Sequence, residues 1–286
     1  MIFNRPITHI IEERTSWRTF ANKLLENNLK LQIKNFLNLK EYKSPFGNEG
    51  CRFELIGTPD FDPSEEYKIG TYGMIKGAQE FIVGATKKSD FDKENYGYLL
   101  EIIILYATDL GLGTCWLGGT FNRTFFSNKI QCKSDEIVPA ITPIGYQSDK
   151  RRLKEKVIRS IVKAKQRLPW EELFFRDDFN TPLNRYQAGL YERPLEMVRI
   201  GPSAGNKQPW RILNESNQNV YHFYVKYSDS KKLIGYNNFV RLDIGIAVCH
   251  FDLTVKELGL KGKWEFLNPN ISTPEELKYT ISWIGE

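Results

Sequence analysis

The clearest pattern along the chain is an apolar run that occurs twice. Asn95-Y-G-Y-L-L-E-I-I-I-L-Y-A-T-D-L-G-L-G-T-C-Trp116 and Asp243-I-G-I-A-V-C-H-F-D-L-T-V-K-E-L-G-L-K-G-K-Trp264 share one register. An offset of 148 residues relates Gly97 to Gly245, Leu110 to Leu258 and Trp116 to Trp264. In each copy apolar residues lie nearly all round the helical wheel, which predicts a helix buried on every face. A glycine then stands at the C-terminal cap and a short apolar stretch follows, which predicts a strand. Upstream, Ser44-P-F-G-N-E-G-C-R-F-E-Leu55 parallels Pro202-S-A-G-N-K-Q-P-W-R-I-Leu213, with 158 residues between Gly47 and Gly205. Downstream, residues 138–146 end the first copy as residues 279–286 end the second, both as strands. Three similarities in one order point to duplication.

The expected class is therefore α+β, with two halves packed as an intramolecular pseudo-dimer. The first half is placed at residues 1–149 and the second at 184–286, joined by a basic helical connector over 150–183. In that connector Leu153, Val157 and Ile161 recur at four-residue steps, with Ile158 and Val162 beside them. This predicts an amphipathic basic helix over 150–167, ended by Pro169. Nucleic acid or an anionic membrane could bind such a helix. The preferred expectation is the plainer one, that the helix packs its apolar stripe and solvates its charges.

Composition narrows the class further. With 286 residues and 41% hydrophobic positions the chain can bury a substantial core. No apolar run reaches the roughly 18 residues a membrane span needs. The charges of the N-terminal stretch fall where a signal peptide would be apolar, so a cytoplasmic protein is expected. Cys51, Cys115, Cys132 and Cys249 are too scattered for a zinc site or a disulfide framework, and no metal is expected. The net charge of +5 is slight, though it suits a phosphate-bearing ligand.

Three segments could carry chemistry. Arg14-T-S-W-Arg18 puts two guanidiniums and two hydroxyls in what reads as one helical turn, with residues 14 and 18 on one face. Arginine suits phosphate, yet the turn could equally be a surface helix held by Glu12 and Glu13. Gly201-P-S-A-G-N-K-Q-P-Trp210 is a tight loop after a helix that ends near Ile200; it either connects helix to strand or contacts a ligand. Gly113-T-C-W-L-G-Gly119 lets backbone approach a flat ligand, or is only a strand end. A dinucleotide site would want its glycines between a strand and a helix. Here Gly111 and Gly113 follow the helix, so a Rossmann site is rejected.

Taken together, R-x-S-x-R, then G-x-G-T-C-W-x-G-G, then P-S-x-x-N-x-Q-P-W resemble the nitroreductase family, and within it the long branch in which one chain does the work of a dimer. The resemblance spans essentially the whole chain. It implies a nitroreductase-like fold with FMN at the interface of two α+β units, and electrons passing from NAD(P)H to an acceptor. Carried over by position, Arg14 and Ser16 would hold the FMN phosphate, with Thr15 between them also counted as cofactor-binding. Arg18 would lie nearer the pyrimidine edge, where a cation favours the reduced ring. Trp116, Leu117, Gly118 and Gly119 would face the N5 side. Pro202, Ser203, Ala204 and Asn206 would cross onto the flavin, and Lys165 and Arg167 would return to the phosphate.

The resemblance also implies a ping-pong cycle in which hydride reaches flavin N5 and a small acceptor, such as a nitroaromatic or a quinone, is then reduced. The cofactor carries that chemistry, so no catalytic side chain is expected. The same residues would serve a flavin-binding protein for storage or sensing, which is the alternative. Around residues 184–193 the second half lacks R-x-S-x-R, and the first half has only Ser44-P-F-G-N where the full loop motif would stand. One FMN per chain is therefore expected, in a monomer acting as a pseudo-dimer, with neither nucleic acid nor membrane as partner.

Overall fold

The computed structural model describes residues 3–39, 43–47, 50–58, 69–71, 73–216, 218–227 and 234–286, and of residues 234–238 the backbone alone. In chain order the helices and strands are α1 (Ile7–Glu13), α2 (Asn27–Leu37), β1 (Cys51–Gly57), β2 (Glu80–Lys87), α3 (Asp92–Asp109), β3 (Gly113–Thr114), α4 (Arg123–Lys129), β4 (Glu136–Ile137), β5 (Ile141–Gly145) and α5 (Leu153–Ile161). There follow β6 (Phe174–Arg176), β7 (Asp178–Pro182), α6 (Arg185–Ala188), α7 (Glu192–Arg199), β8 (Trp210–Glu215), β9 (Val220–Lys226), α8 (Ile234–Glu257), β10 (Gly262–Glu265) and β11 (Leu277–Gly285). Two compact units result: Met1–Arg5 with Glu13–Ala164, and Pro6–Glu12 with Lys165–Glu286. The division falls inside the stretch read as the connector, and α1 goes with the second unit.

The first unit is built on the strand order β1-β2-β5-β3, with β4 also paired to β2, and every pairing antiparallel. The second unit's sheet runs β10-β11-β9-β8-β6-β7. Its stretch β8-β9-β11-β10 repeats β1-β2-β5-β3 strand for strand, again antiparallel throughout. The helices α3 and α8 occupy the same place in the two orders. Each ends in the same way. Gly111 (φ 74°) and Gly259 (φ 67°) take up the left-handed conformation that lets the chain turn back. The amides of Leu112 and Leu260 then reach the carbonyls of Ala107 and Val255, both at 2.9 Å. The duplication read from the offset of 148 is thus a duplication of topology.

As the apolar pattern predicts, both long helices are deeply buried. Tyr96, Tyr98, Leu100 and Ile102 to Leu105 lie inside the first unit, and Val240, Leu242, Ile244, Ile246 to Cys249 and Phe251 inside the second. The central strand β2 is buried along both faces, as a strand flanked by two neighbours and covered by helices should be. Gly84 on that strand is required by packing, because a Cβ there would sit 2.4 Å from the Phe53 ring. In the second unit α1 is held by Glu257, whose carboxylate accepts from the amides of Ile7 and Thr8, where the helix dipole favours an anion. Glu12 pairs with Arg193 at 2.9 Å. Among the described residues no helix is long and apolar enough to cross a membrane.

Two local expectations are overturned. The helix expected over 150–167 is only α5, Leu153–Ile161. A turn with Lys163 at φ 48° closes it well before Pro169. Its orientation is also the reverse of the expected one: Leu153, Val157 and Ile161 are 79%, 56% and 73% exposed, while Glu155 is fully buried. The physical reason is that Arg151, Glu155 and Arg159, also at four-residue steps, find polar partners on residues 15–19. The second correction concerns Arg14–Arg18, which is not a helical turn. After α1 the chain is extended, Ser16 bridges Thr114 in parallel, and the Trp17 amide donates to the Thr114 carbonyl at 2.8 Å. Extended backbone repeats every two residues, so residues 14, 16 and 18 still share a face, by a different route.

Candidate functional site

In the first unit the extended segment 14–18 lies along β3 and meets charge from two helices. From α3, the buried Glu101 accepts from Trp116 Nε1 at 2.7 Å, and its other oxygen lies 3.8 Å from Arg14 Nε. From α5, Arg159 donates to Thr15 Oγ1 at 3.0 Å and to the Ser16 carbonyl at 3.3 Å. Arg151, just before α5, donates to the Ser16 carbonyl at 3.2 Å and to Glu155 at 3.0 Å, with its guanidinium 3.9 Å above the Trp17 ring. Glu155 also accepts from Thr19 Oγ1 at 2.7 Å.

Four guanidiniums therefore gather round two buried carboxylates. Burial pulls Arg14, Arg151 and Arg159 below the ordinary arginine value, the nearby guanidiniums push the same way, and Glu101 or Glu155 opposes them. Among the described residues, the Nε atoms of Arg14 and Arg18 are buried with no hydrogen-bond partner. The Cys115 thiol lies in the same cluster. Burial pushes it up, against the pull of Arg18, a hydrogen bond from Ser16 and Arg14, so it stays protonated. The turn at Gly118–Gly119 is fixed by Arg123, which donates to the carbonyls of Gly118 (2.9 Å), Val138 (2.8 Å) and Pro139 (3.2 Å). Excess positive charge, buried donors without partners and a rigid turn of small residues are what an anionic ligand would need.

In the second unit, the loop after α7 is a compact array of the expected kind. Gly205 and Asn206, both at φ 57°, and Gln208 at φ 50° are left-handed. The Ala204 amide donates to Asp243 at 3.0 Å, and the Gln208 amide to Ser203 Oγ at 2.8 Å. Asn206 Nδ2 donates to the Gln166 carbonyl at 2.9 Å, and its Oδ1 accepts from Arg167 at 3.1 Å. Arg167 also donates to the Ile200 carbonyl at 2.9 Å. Lys165 is exposed.

The residues singled out from sequence thus form one group in each unit. Arg14, Thr15, Ser16, Arg18 and Trp116 to Gly119 stand together in the first. Lys165, Arg167, Pro202, Ser203, Ala204 and Asn206 lie along one loop and its flank in the second. Asn48 of the first-half loop lies outside the described residues. Sequence reasoning missed Glu101, Arg123, Arg151, Glu155 and Arg159. A signal for the last set exists: Arg151, Glu155 and Arg159 sit at the same four-residue step as the apolar stripe, one face away.

Comparison with known proteins adds a family model and three solved structures. A family model described as "Putative TM nitroreductase" matches residues 6–255. Among solved structures, a "putative nitroreductase" of Thermotoga maritima is similar at 20% identity and a TM-score of 0.59, over 98% of this chain and 94% of that one. That likeness is one of fold. A "putative nitroreductase in complex with FMN" from Desulfovibrio desulfuricans has 20% identity and a TM-score of 0.41, over 54% of this chain and 95% of that one. A nitroreductase with bound FMN from Desulfitobacterium hafniense has 18% identity and a TM-score of 0.41, over 51% and 92%. No curated protein matches the chain.

Proposed function

The chain belongs to the nitroreductase family matched over residues 6–255, and from that premise we propose that it is an FMN-dependent oxidoreductase taking electrons from NAD(P)H to a small acceptor such as a nitroaromatic or a quinone. The observation that carries the reading is the surplus of guanidiniums round segment 14–18, Arg14 buried and Arg18, Arg151 and Arg159 half-buried, with the Nε atoms of Arg14 and Arg18 unpartnered. A phosphate ester supplies the missing acceptors. In this reading Arg14, Thr15 and Ser16 hold the FMN phosphate and Arg18 lies toward the ring. When bound, FMN supplies hydride transfer at N5, so the protein needs no acid or base of its own.

The chain's part is to orient and to exclude water. Trp116, Leu117, Gly118 and Gly119 present backbone to the ring, with Arg123 keeping that turn from shifting and Glu101 holding the Trp116 indole. Pro202, Ser203, Ala204 and Asn206 enter the proposal through the family resemblance, as do Lys165 and Arg167. Asp243 gives their loop one conformation, as preorganised contacts require. One FMN per chain is expected, because R-x-S-x-R occurs only in the first half.

The test is a visible spectrum of the purified protein after excess FMN and desalting. About one equivalent of retained flavin, bleached by NADH or NADPH, is the expected result. Retained flavin that neither nucleotide bleaches would replace turnover with storage or sensing. No retained flavin would overturn the reading, and two equivalents would overturn the single site.

A further inference from the structure

Helix α5 is docked the wrong way round for an amphipathic helix, and the charge it brings inside is not balanced. Most surface helices are held by apolar burial. Here Leu153, Val157 and Ile161 face solvent, while Glu155 is fully buried and the half-buried Arg151 and Arg159 turn toward residues 15 and 16. What holds the helix is a set of polar contacts to Thr15, Ser16 and Thr19, at 2.7 to 3.3 Å. Those contacts complete a cluster of four guanidiniums and two carboxylates. Buried charge that lacks compensation is strongly unfavourable, and a buried donor without a partner adds to the cost. The Arg14 side chain is 7% exposed and its Nε has no acceptor. An anion of about two charges with several acceptor oxygens would settle both deficits, and a phosphate monoester is such an anion.

We propose that α5 is a phosphate-dependent clamp: Arg151 and Arg159 bind the same phosphate monoester as Arg14 and Ser16, and the filled site keeps α5 docked. The proposal rests on the FMN reading for the identity of the ligand. To that reading it adds two phosphate-binding residues outside the family motifs, and a coupling between ligand and helix. A ligand that binds only the docked state stabilises it by mass action, and the coupling is reciprocal. Riboflavin, which lacks the phosphate, cannot act on α5 in this way.

Trypsin reports directly on the clamp, because Lys154 and Lys156 lie in α5 itself. Full-length protein would be digested with no ligand, with FMN, with riboflavin and with millimolar inorganic phosphate, and cleavage after Lys154 and Lys156 followed by mass spectrometry. FMN and inorganic phosphate are expected to slow these two cleavages, and riboflavin to leave them unchanged. Arg159→Met should weaken FMN binding by roughly tenfold to a hundredfold and leave riboflavin binding alone. Equal protection by riboflavin and FMN overturns the clamp, as does wild-type FMN affinity in Arg159→Met. The protection arm needs no variant and so decides the matter even if Arg159→Met folds poorly. FMN binding with no effect on α5 refutes the clamp and leaves the FMN reading standing. Protection by phosphate in a protein that binds neither flavin supports the clamp and removes the FMN reading.

Discussion

The two sheets agree at their centres and part company at their edges. In the first unit the outer edge of β3 is paired with the arginine-bearing segment 14–18. In the second, β10 stands at the equivalent place, and among the described residues it pairs only with β11. Positions related by the offset of 148 tell the same story. Trp116 donates to Glu101 and Trp264 to Asp252, so each indole found a buried acid, but from a different turn of its helix. Asp243 anchors the Ala204 amide, whereas its counterpart Asn95 donates to the Cys51 sulphur at 3.4 Å. Duplication has kept what the fold needs and let the polar chemistry diverge.

One pair of positions puts this contrast to its strongest test. At the start of the equivalent strands, Trp210 stands where Arg52 stands 158 residues earlier. Trp210 is fully buried. Arg52 instead reaches Glu136, at 2.8 and 3.0 Å, and the Ile130 carbonyl at 2.9 Å. Trp210→Ala should destabilise by about 3–5 kcal/mol, as large core truncations do. Arg52→Ala should cost about 1.5–3 kcal/mol, from its charge-assisted bonds. Urea unfolding of both variants checks the order, and equal losses would mean that the two strands are held in the same way.

The same ion pair gives the first unit an acid response. Arg52 holds the Glu136 carboxyl at about 2, down from 4.5. A carboxylate held low in the fold adds stability above its unfolded value and loses it on protonation. The contribution should therefore be complete above pH 4.5 and fade as pH falls through about 2. Glu136→Gln should be less stable than wild type at neutral pH, with the gap closing toward pH 2 in urea midpoints taken across the series.

Smallest of all should be the effect of Val157→Ser on α5. Its side chain is out in solvent, so the change should stay within about 0.5 kcal/mol. A larger loss by thermal unfolding would show that the apolar stripe is covered after all.

These contrasts also explain what the sequence could and could not disclose. The long helices were legible because burial on every face leaves an unmistakable run of apolar letters, and the glycine caps marked their ends. The loop 201–210 was legible from its turn residues. The segment 14–18 was misread because a spacing of four gives a shared face in a helix and in a strand alike. The orientation of α5 was misread because periodicity reveals two faces without saying which one meets the protein. That depended on Thr15, Ser16 and Thr19, more than 130 residues away in the chain.

The placement of α1 has a consequence for inheritance. Residues 6–12 make their contacts in the second unit, while the residues on either side of them belong to the first. A gene cut at the seam of the duplication, between Ala164 and Lys165, would encode a downstream polypeptide without the helix that Glu257 caps. It would also leave an upstream polypeptide carrying that helix with nowhere of its own to put it. Separating the two units would therefore take more than a single cut, because seven residues near the start of the chain belong to the second.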